Sequence, residues 1–324
     1  MKKIILKYNE KKVINYLFLT PFCNGSNGFA EILKPDSDIL VTPHNKAEEN
    51  INKLFDDGIT IKNVIFNNSV VYTEKLKKIF CNMGIKASSY ERGWFPHSSW
   101  HFDPDGFSHN SLLAKSRLDK IEINDKDVSR EIDFYKKSIN IGKKTLDIPD
   151  KYIIVIMQHT NDATIVHGYP EFSGWQSIID YADKLRKKDE VLLIKVHPQN
   201  INESIKIPSN SIIVNSKLYN NSLLEKAEVV IGVNSTMLYE ASLIFNRPVV
   251  ALGESWFNGH REVVYKTKIG DLNRPTVSED DIRYRQKMFK IMTKMQLKDL
   301  SKKGIIDMHE KVSKISKIED WFNL

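Results

Sequence analysis

The sequence predicts an α/β chain of two doubly wound, Rossmann-like domains with an interdomain cleft and closing C-terminal helices. Three observations predict it. Short apolar runs alternate with amphipathic stretches along most of the 324 residues, the rhythm of parallel strands covered by helices. Two of these runs end in Lys195-Val196-His197-Pro198 and Val233-Asn234-Ser235-Thr236, polar groups suited to a phosphate. The length is ample for two hydrophobic cores.

The elements follow in order. Lys3–Tyr8 and Val13–Leu19 read as strands around the turn at 9–12. Asp38–Val41 reads as a short strand, and Ala47–Phe55 as a helix that stops before Gly58. Asn63–Phe66 is a strand, Tyr72–Met83 a helix ending at Gly84, and Lys86–Tyr90 a strand; glycine just past a helix is the usual stop. Arg92 to Asp125 reads as a long loop whose aromatics argue for a functional role. Val128–Thr145 is a helix, and Asp147–Asp150 a linker. A second series comprises the strand Tyr152–Met157, the helix Trp175–Arg186, the strands Val191–Val196 and Ile212–Val214, and the short helix Asn221–Lys226. The strand Val229–Val233, a short helix and the strand Val249–Leu252 come next. Asp280–Met295 and Leu297–Ser316 are lysine-rich helices. The expected division is an acceptor-side domain at 1–147, a nucleotide-sugar domain at 148–275 and closing helices at 276–324. Two such domains describe the GT-B architecture, with the ligand in the cleft.

Composition narrows the function classes. A 41% hydrophobic and 27% charged chain is ordinary for a soluble globular protein. A net charge of +7 fits an anionic ligand such as a sugar nucleotide, an acidic glycan or an anionic membrane surface. No nucleic-acid motif accompanies it. Cys23 and Cys81 have no metal-ligand spacing and are expected as reduced thiols in the cytoplasm. The apolar run near Met1 is too short for a signal peptide. No run approaches the roughly 18 apolar residues of a membrane span, so any membrane role is expected to be peripheral.

Seven segments carry the candidate chemistry, most with a plainer alternative. His197 can donate to a phosphate oxygen, with charge assistance; otherwise it merely follows a strand that Pro198 stops. Asn234, Ser235 and Thr236 open a helix whose free N–H groups suit a phosphate. Gln158-His159-Thr160-Asn161-Asp162 places a nucleophile or base, Asp162, and an orienting amide, Gln158, after a strand; Asp162 also suits a loop cap. Glu91-Arg92-Gly93-Trp94 offers a second carboxylate, and two carboxylates are what glycosyl chemistry needs; a salt bridge to Arg92 is the alternative. Trp94 and Trp100 could stack on sugar faces. His97, His101, Asp103, Asp105 and His109 fit no standard metal spacing, and Asp103–Gly106 reads as a turn. Gly25-Ser26-Asn27-Gly28 could border the cleft or be a flexible turn. The C-terminal lysines read as a solvated face, with a membrane-facing surface as the minority alternative.

Taken together these stretches resemble the capsular polysaccharide biosynthesis family, which contains the bacterial retaining β-Kdo transferases. The resemblance rests on Glu91-Arg92-Gly93-Trp94, on Gln158 to Ile165, on Lys195-Val196-His197-Pro198, and on Asn234-Ser235-Thr236 through Tyr239-Glu240-Ala241 to Pro248-Val249-Val250 and Gly253. Val196 stands where the family motif has proline. The resemblance implies a GT-B fold and transfer of an acidic keto-sugar, Kdo, from a CMP-activated donor to a glycan or glycolipid acceptor with retention. It implies His197, Pro198, Asn234, Ser235, Thr236 and Glu240 at the nucleotide, with Glu240 holding the ribose side or the helix. Asp162 would be the nucleophile and Glu91 the acid/base, while Gln158, Lys195, Arg92, Trp94, Gly25 and Ser26 would contact substrate. Neither metal nor cofactor is implied beyond the CMP-sugar itself. The expected location is cytoplasmic, at the inner face of the membrane or beside a capsule assembly complex. The alternatives are a GT-B transferase or epimerase using a UDP- or GDP-sugar, and a non-catalytic glycan-binding partner.

Overall fold

The computed structural model describes residues 13–20, 39–43, 47–67, 74–96, 98–106, 108–139, 149–160, 162–169, 171–197, 204–215, 221–298 and 301–323. The chain divides into two compact units, Met1–Leu112 with Lys294–Leu324, and Leu113–Thr293. The predicted strand Lys3–Tyr8, the Gly25–Gly28 turn with the helical turn after it, and the start of the linker at 147–148 lie outside the described residues.

The first unit holds β1 (Val13–Thr20), β2 (Ile39–Pro43), α1 (Ala47–Asp56), β3 (Thr60–Asn67), α2 (Glu74–Asn82), β4 (Lys86–Arg92) and β5 (Trp100–Asp103). Its sheet runs β12-β5-β4-β3-β1-β2, where β12 is Gln296–Leu297 from the far end of the chain. β1 to β4 are parallel, while β5 and β12 are antiparallel to their neighbours. Ile14, Leu17, Val64 and Phe66 pack with Ile51 and Leu54 of α1 and Phe80 of α2. Gly58 and Gly84 adopt φ of 73° and 65°, the left-handed stops read from the sequence.

Two expectations are corrected here. The stretch from Arg92 to Asp125 contains β5 and α3 (Leu112–Lys115). All four residues of β5 are buried, so it lacks the in–out alternation that marks a strand in sequence. Leu297–Ser316 is not one helix: Gln296 and Leu297 pair with His101 and Trp100, and only Lys302–Val312 (α9) is helical before α10 (Asp320–Asn323).

Helix α9 places His309 in the first core. Asn63 Nδ2 donates to Asn15 O, so Asn63 Oδ1 accepts from His309 Nε2 at 3.2 Å. The other ring nitrogen, Nδ1, accepts from Ser88 Oγ at 2.7 Å. Burial drives the imidazole pKa down to about 4. The folded value lies below the unfolded one near 6.5, so the neutral form stabilises the fold above about pH 6.5, and this is lost as pH falls toward 4. The loss amounts to about 3 kcal/mol across that window. Urea unfolding of the native chain is therefore expected to weaken more steeply between pH 7 and 4.5 than that of His309→Gln. Equal pH slopes would contradict this.

The second unit holds α3 from Leu113, α4 (Asp125–Ile139), β6 (Tyr152–Ile156), α5 (Ala163–Gly168), α6 (Trp175–Leu185), β7 (Val191–Val196), β8 (Ser211–Asn215) and β9 (Val229–Gly232). α7 (Thr236–Tyr239) runs on into a π turn over Glu240–Ile244, followed by β10 (Val249–Ala251), β11 (Tyr265–Lys266) and α8 (Glu279–Lys294). Its sheet, β11-β10-β9-β6-β7-β8, is parallel throughout. β6, β9 and β10 are buried end to end, as a sheet covered on both faces requires. The chain runs from β6 outward to β7 and β8, then returns to the other side of β6 as β9. The switch point of the sheet therefore lies between β6 and β9.

These units divide the chain differently from the expected 147/148 and 275/276 boundaries. The apolar stripe of α4, Val128, Ile132 and Tyr135, is buried in the second unit, where Tyr135 meets Glu240 and Glu131 pairs with Lys290. Arg285 of α8 is buried there too and donates to the carbonyls of Glu262 and Arg247. A sequence shows an apolar stripe but not which core receives it. No helix of the described residues is long and apolar enough to cross a membrane.

Candidate active site

The predicted residues of the second unit gather where its parallel strands end. Gln158 follows β6 and Asn234 follows β9, on either side of the switch point. Gln158 Nε2 donates to Asn234 Oδ1 at 2.9 Å, and the Asn234 N–H donates to Gln158 Oε1 at 3.0 Å. Asn234 Nδ2 donates to the carbonyls of Thr164 (2.6 Å) and Glu254 (3.2 Å), while Thr164 Oγ1 lies 3.1 Å from its Oδ1. An asparagine side chain has two donor and two acceptor positions; both donors and one acceptor position are used here, because the single Thr164 hydroxyl proton goes to the nearer Asp162 Oδ1. Asn234 and Gln158 thereby join the ends of β6, β9, β10 and the helix α5.

The backbone around this hub is tightly packed. A Cβ on Gly253 would lie 2.6 Å from Val233 Cγ1, and one on Gly168 would lie 2.7 Å from Glu254 O and 2.8 Å from Asn234 Nδ2. The absence of a side chain at Gly253, noted in the sequence motif, thus lets β10 approach β9. Gly168 and the Glu254 carbonyl carry no signal in the sequence, because α5 has no long apolar period to mark it, and Thr164 stands there only within the stretch Gln158 to Ile165.

Asp162 is the N-cap of α5. Its Oδ1 accepts from Thr164 N–H at 2.8 Å and Thr164 Oγ1 at 2.7 Å. Among the described residues none donates to Oδ2. Ser235 is the N-cap of α7, its hydroxyl accepting from Met237 N–H at 3.3 Å. Thr236 is the first residue of that helix and is half-buried. Lys195, 7% exposed, and His197 end β7 next to β6. The rings of His197 and His159 lie 6.1 Å apart, edge to face. Burial, then His159, holds the His197 imidazole below its ordinary pKa, with Asp162 pulling upward. Glu240 is buried and accepts from the Tyr135 hydroxyl at 3.2 Å. Pro198, Gly25, Ser26 and His97 lie outside the described residues.

The remaining predicted residues belong to the first unit. Glu91 is half-buried at the end of β4, where its Oε1 accepts from the Arg92 N–H at 2.8 Å. The Arg92 guanidinium lies 4.6 Å from the centre of the Trp100 ring. Trp94 is 2% exposed and stacked on His101 with ring centres 3.9 Å apart. Trp100 is likewise buried. Gln296 secures this turn, its Oε1 accepting from the N–H groups of Trp94 (2.6 Å) and Phe95 (2.8 Å). A Cβ on Gly93 would come within 1.9 Å of Ser99 Oγ and 2.7 Å of Gln296 Oε1. Asp103 caps a turn, accepting from the N–H groups of Asp105, Gly106 and Leu112.

Residues 108–261 match the family model described as capsule polysaccharide biosynthesis protein. No curated protein matches the sequence significantly. Among solved structures, KpsC of Thermosulfurimonas dismutans, described as a β-Kdo 2,7 transferase, is 17% identical with a TM-score of 0.56, covering 84% of this chain and 89% of that one. A second KpsC structure from the same organism, a β-Kdo 2,4 transferase, is 14% identical with a TM-score of 0.55, covering 85% and 89%. At these identities the likeness is one of fold. The chain is thus similar to the capsule polysaccharide biosynthesis family over residues 108–261, and its two α/β units share a GT-B-like fold with the KpsC structures.

Proposed function

We propose that this protein is a glycosyltransferase of surface-polysaccharide synthesis that moves an acidic keto-sugar, Kdo, from its CMP-activated donor to a glycan acceptor with retention. The observation that carries the reading is the convergence of Asp162, His197 and the Ser235–Thr236 helix start on one edge of the second sheet, beside its switch point. Open α/β sheets bind ligands there, and a helix start with free N–H groups favours a phosphate.

Each residue then has one task. Donors at His197 and at the start of α7 stabilise the charge that builds on the departing CMP phosphate. The bond between the anomeric carbon and the phosphate oxygen breaks, and its electron pair leaves with CMP. Asp162 forms the new bond to that carbon from the opposite face. Thr164 fixes one oxygen of Asp162 and thereby the direction of the other. An acceptor hydroxyl next attacks the same carbon, expels the carboxylate and gives its proton to a general base, the role that the sequence resemblance gives to Glu91. Two inversions amount to retention. Gln158 and Asn234 hold the edge in register. The reading puts the reaction in the cytoplasm, at the membrane where a glycolipid acceptor would be presented.

Thermal-shift measurements with CMP, UDP and GDP test the nucleotide choice. CMP at about 100 times its Kd is expected to add roughly 2.7 kcal/mol of stability and to raise the melting temperature most. A larger shift with UDP or GDP would favour a transferase or epimerase of another donor class. No shift with any of them would contradict nucleotide-sugar chemistry.

A further inference from the structure

Basic side chains meet where the adjacent strands β6 and β7 end. The register of these parallel strands sets Ile156 beside Lys195. His159 follows Ile156 by three residues and His197 follows Lys195 by two, so both histidines leave the sheet at the same edge. Their rings lie 6.1 Å apart, edge to face, and both residues are half-buried. Lys195, 7% exposed, adds a third basic group. His159 and Lys195 both disfavour a charge on His197, and Asp162 favours it. Bases that repel one another at the ligand edge of a sheet are the arrangement an anion relieves, and such clusters mark functional sites.

The chemistry of the donor gives the two rings separate tasks. In a nucleotide-activated acidic keto-sugar the anomeric carbon carries both the carboxylate and the oxygen that bridges to phosphorus. The two anions are therefore neighbours, separated only by that carbon and that oxygen. Two imidazoles side by side can each donate to one of them, with each N–H donor about 2.7–2.9 Å from its charged oxygen. A neutral sugar on the same nucleotide has no charge beside the phosphate, and would leave the second ring unused.

We infer that His159 is a specificity-determining residue for the sugar: its ring donates to the carboxylate on the anomeric carbon, while His197 donates to the phosphate. The inference rests on the keto-sugar reading above and names the group that would tell an acidic sugar from a neutral one. In this arrangement Asp162, three residues beyond His159, attacks the carbon that joins the two anions.

Calorimetric titration of the full chain with three probes tests it. They are CMP, a donor analogue in which a methylene replaces the bridging oxygen and prevents transfer, and the same analogue with its carboxylate converted to a neutral carboxamide. The native protein is expected to favour the carboxylate over the carboxamide by about tenfold or more, the worth of a hydrogen bond to a charged group. His159→Ala is expected to cut this preference to about threefold or less while CMP affinity stays close to native. A variant that keeps the native preference overturns the inference. So does an equal loss of CMP and of the carboxylate analogue, which would put His159 at the phosphate or in the scaffold. If His159→Ala does not fold, His159→Phe, which keeps a ring and removes its donors, carries the same test with the same outcomes. Equal binding of the two analogues, or of neither, by a native protein that binds CMP overturns the inference and leaves the cytidylate reading standing. Failure of the native protein to bind CMP overturns both.

Discussion

Replacing Asp162 with asparagine is expected to remove sugar transfer while leaving fold and CMP binding nearly intact. Asp162 has two tasks in the proposed scheme, and the substitution separates them. As the N-cap of α5 it accepts from Thr164, and asparagine serves that role as well as aspartate does. As a nucleophile it must offer a carboxylate oxygen to the anomeric carbon, and an amide cannot. Asp162→Asn should thus lose on the order of 10⁴-fold or more in kcat, by analogy with the loss of other covalent nucleophiles, with little change in unfolding midpoint. Asp162→Ala should lose the same activity and also about 1 kcal/mol of stability from the missing cap. Transfer rates with the CMP-activated donor, read beside urea unfolding, would show both effects. Near-native turnover by Asp162→Asn would reduce this residue to a helix cap.

Loss of the His197 imidazole should instead act on nucleotide binding. A hydrogen bond to a charged group contributes about 1.5–3 kcal/mol, so His197→Ala should weaken CMP by roughly ten- to hundredfold. The pH dependence carries a sign. Burial and His159 hold the free imidazole below its ordinary pKa, and a bound phosphate raises it. Binding therefore takes up a proton, and affinity rises as pH falls through the pKa of the complex, levelling off below that of the free protein. The phosphate of CMP titrates in the same region, so the contribution of His197 is the difference between the native profile and that of His197→Gln. Superimposed profiles would place the imidazole away from the phosphate.

The two parts of the molecule differ in how far they can be read from their residues. The middle of the second sheet was legible because β6, β9 and β10 are short, fully apolar and buried runs. The helix stops at Gly58 and Gly84 were legible for a local reason, since both require a left-handed backbone. The hydrogen-bond partners of Asn234 come from residues 158, 164 and 254. Nothing within a few residues of Asn234 shows that those positions meet. The stacking partner of Trp94 was hidden for a similar reason: His101 faces it only because β5 folds back along β4. Tyr135 lay on a helix assigned to the other half of the chain. Local pattern exposes what a segment becomes, whereas long-range hydrogen bonds decide what its polar groups are for.

The central claim is that the second unit grips a cytidylate at the β6–β9 switch point with His197 at the phosphate. Titration of CMP into the native protein beside folded His197→Ala tests it most directly. Saturable binding by the native chain, weakened roughly tenfold or more in the variant, is the predicted result. No binding by the native chain, or equal affinity in the two proteins, would contradict it.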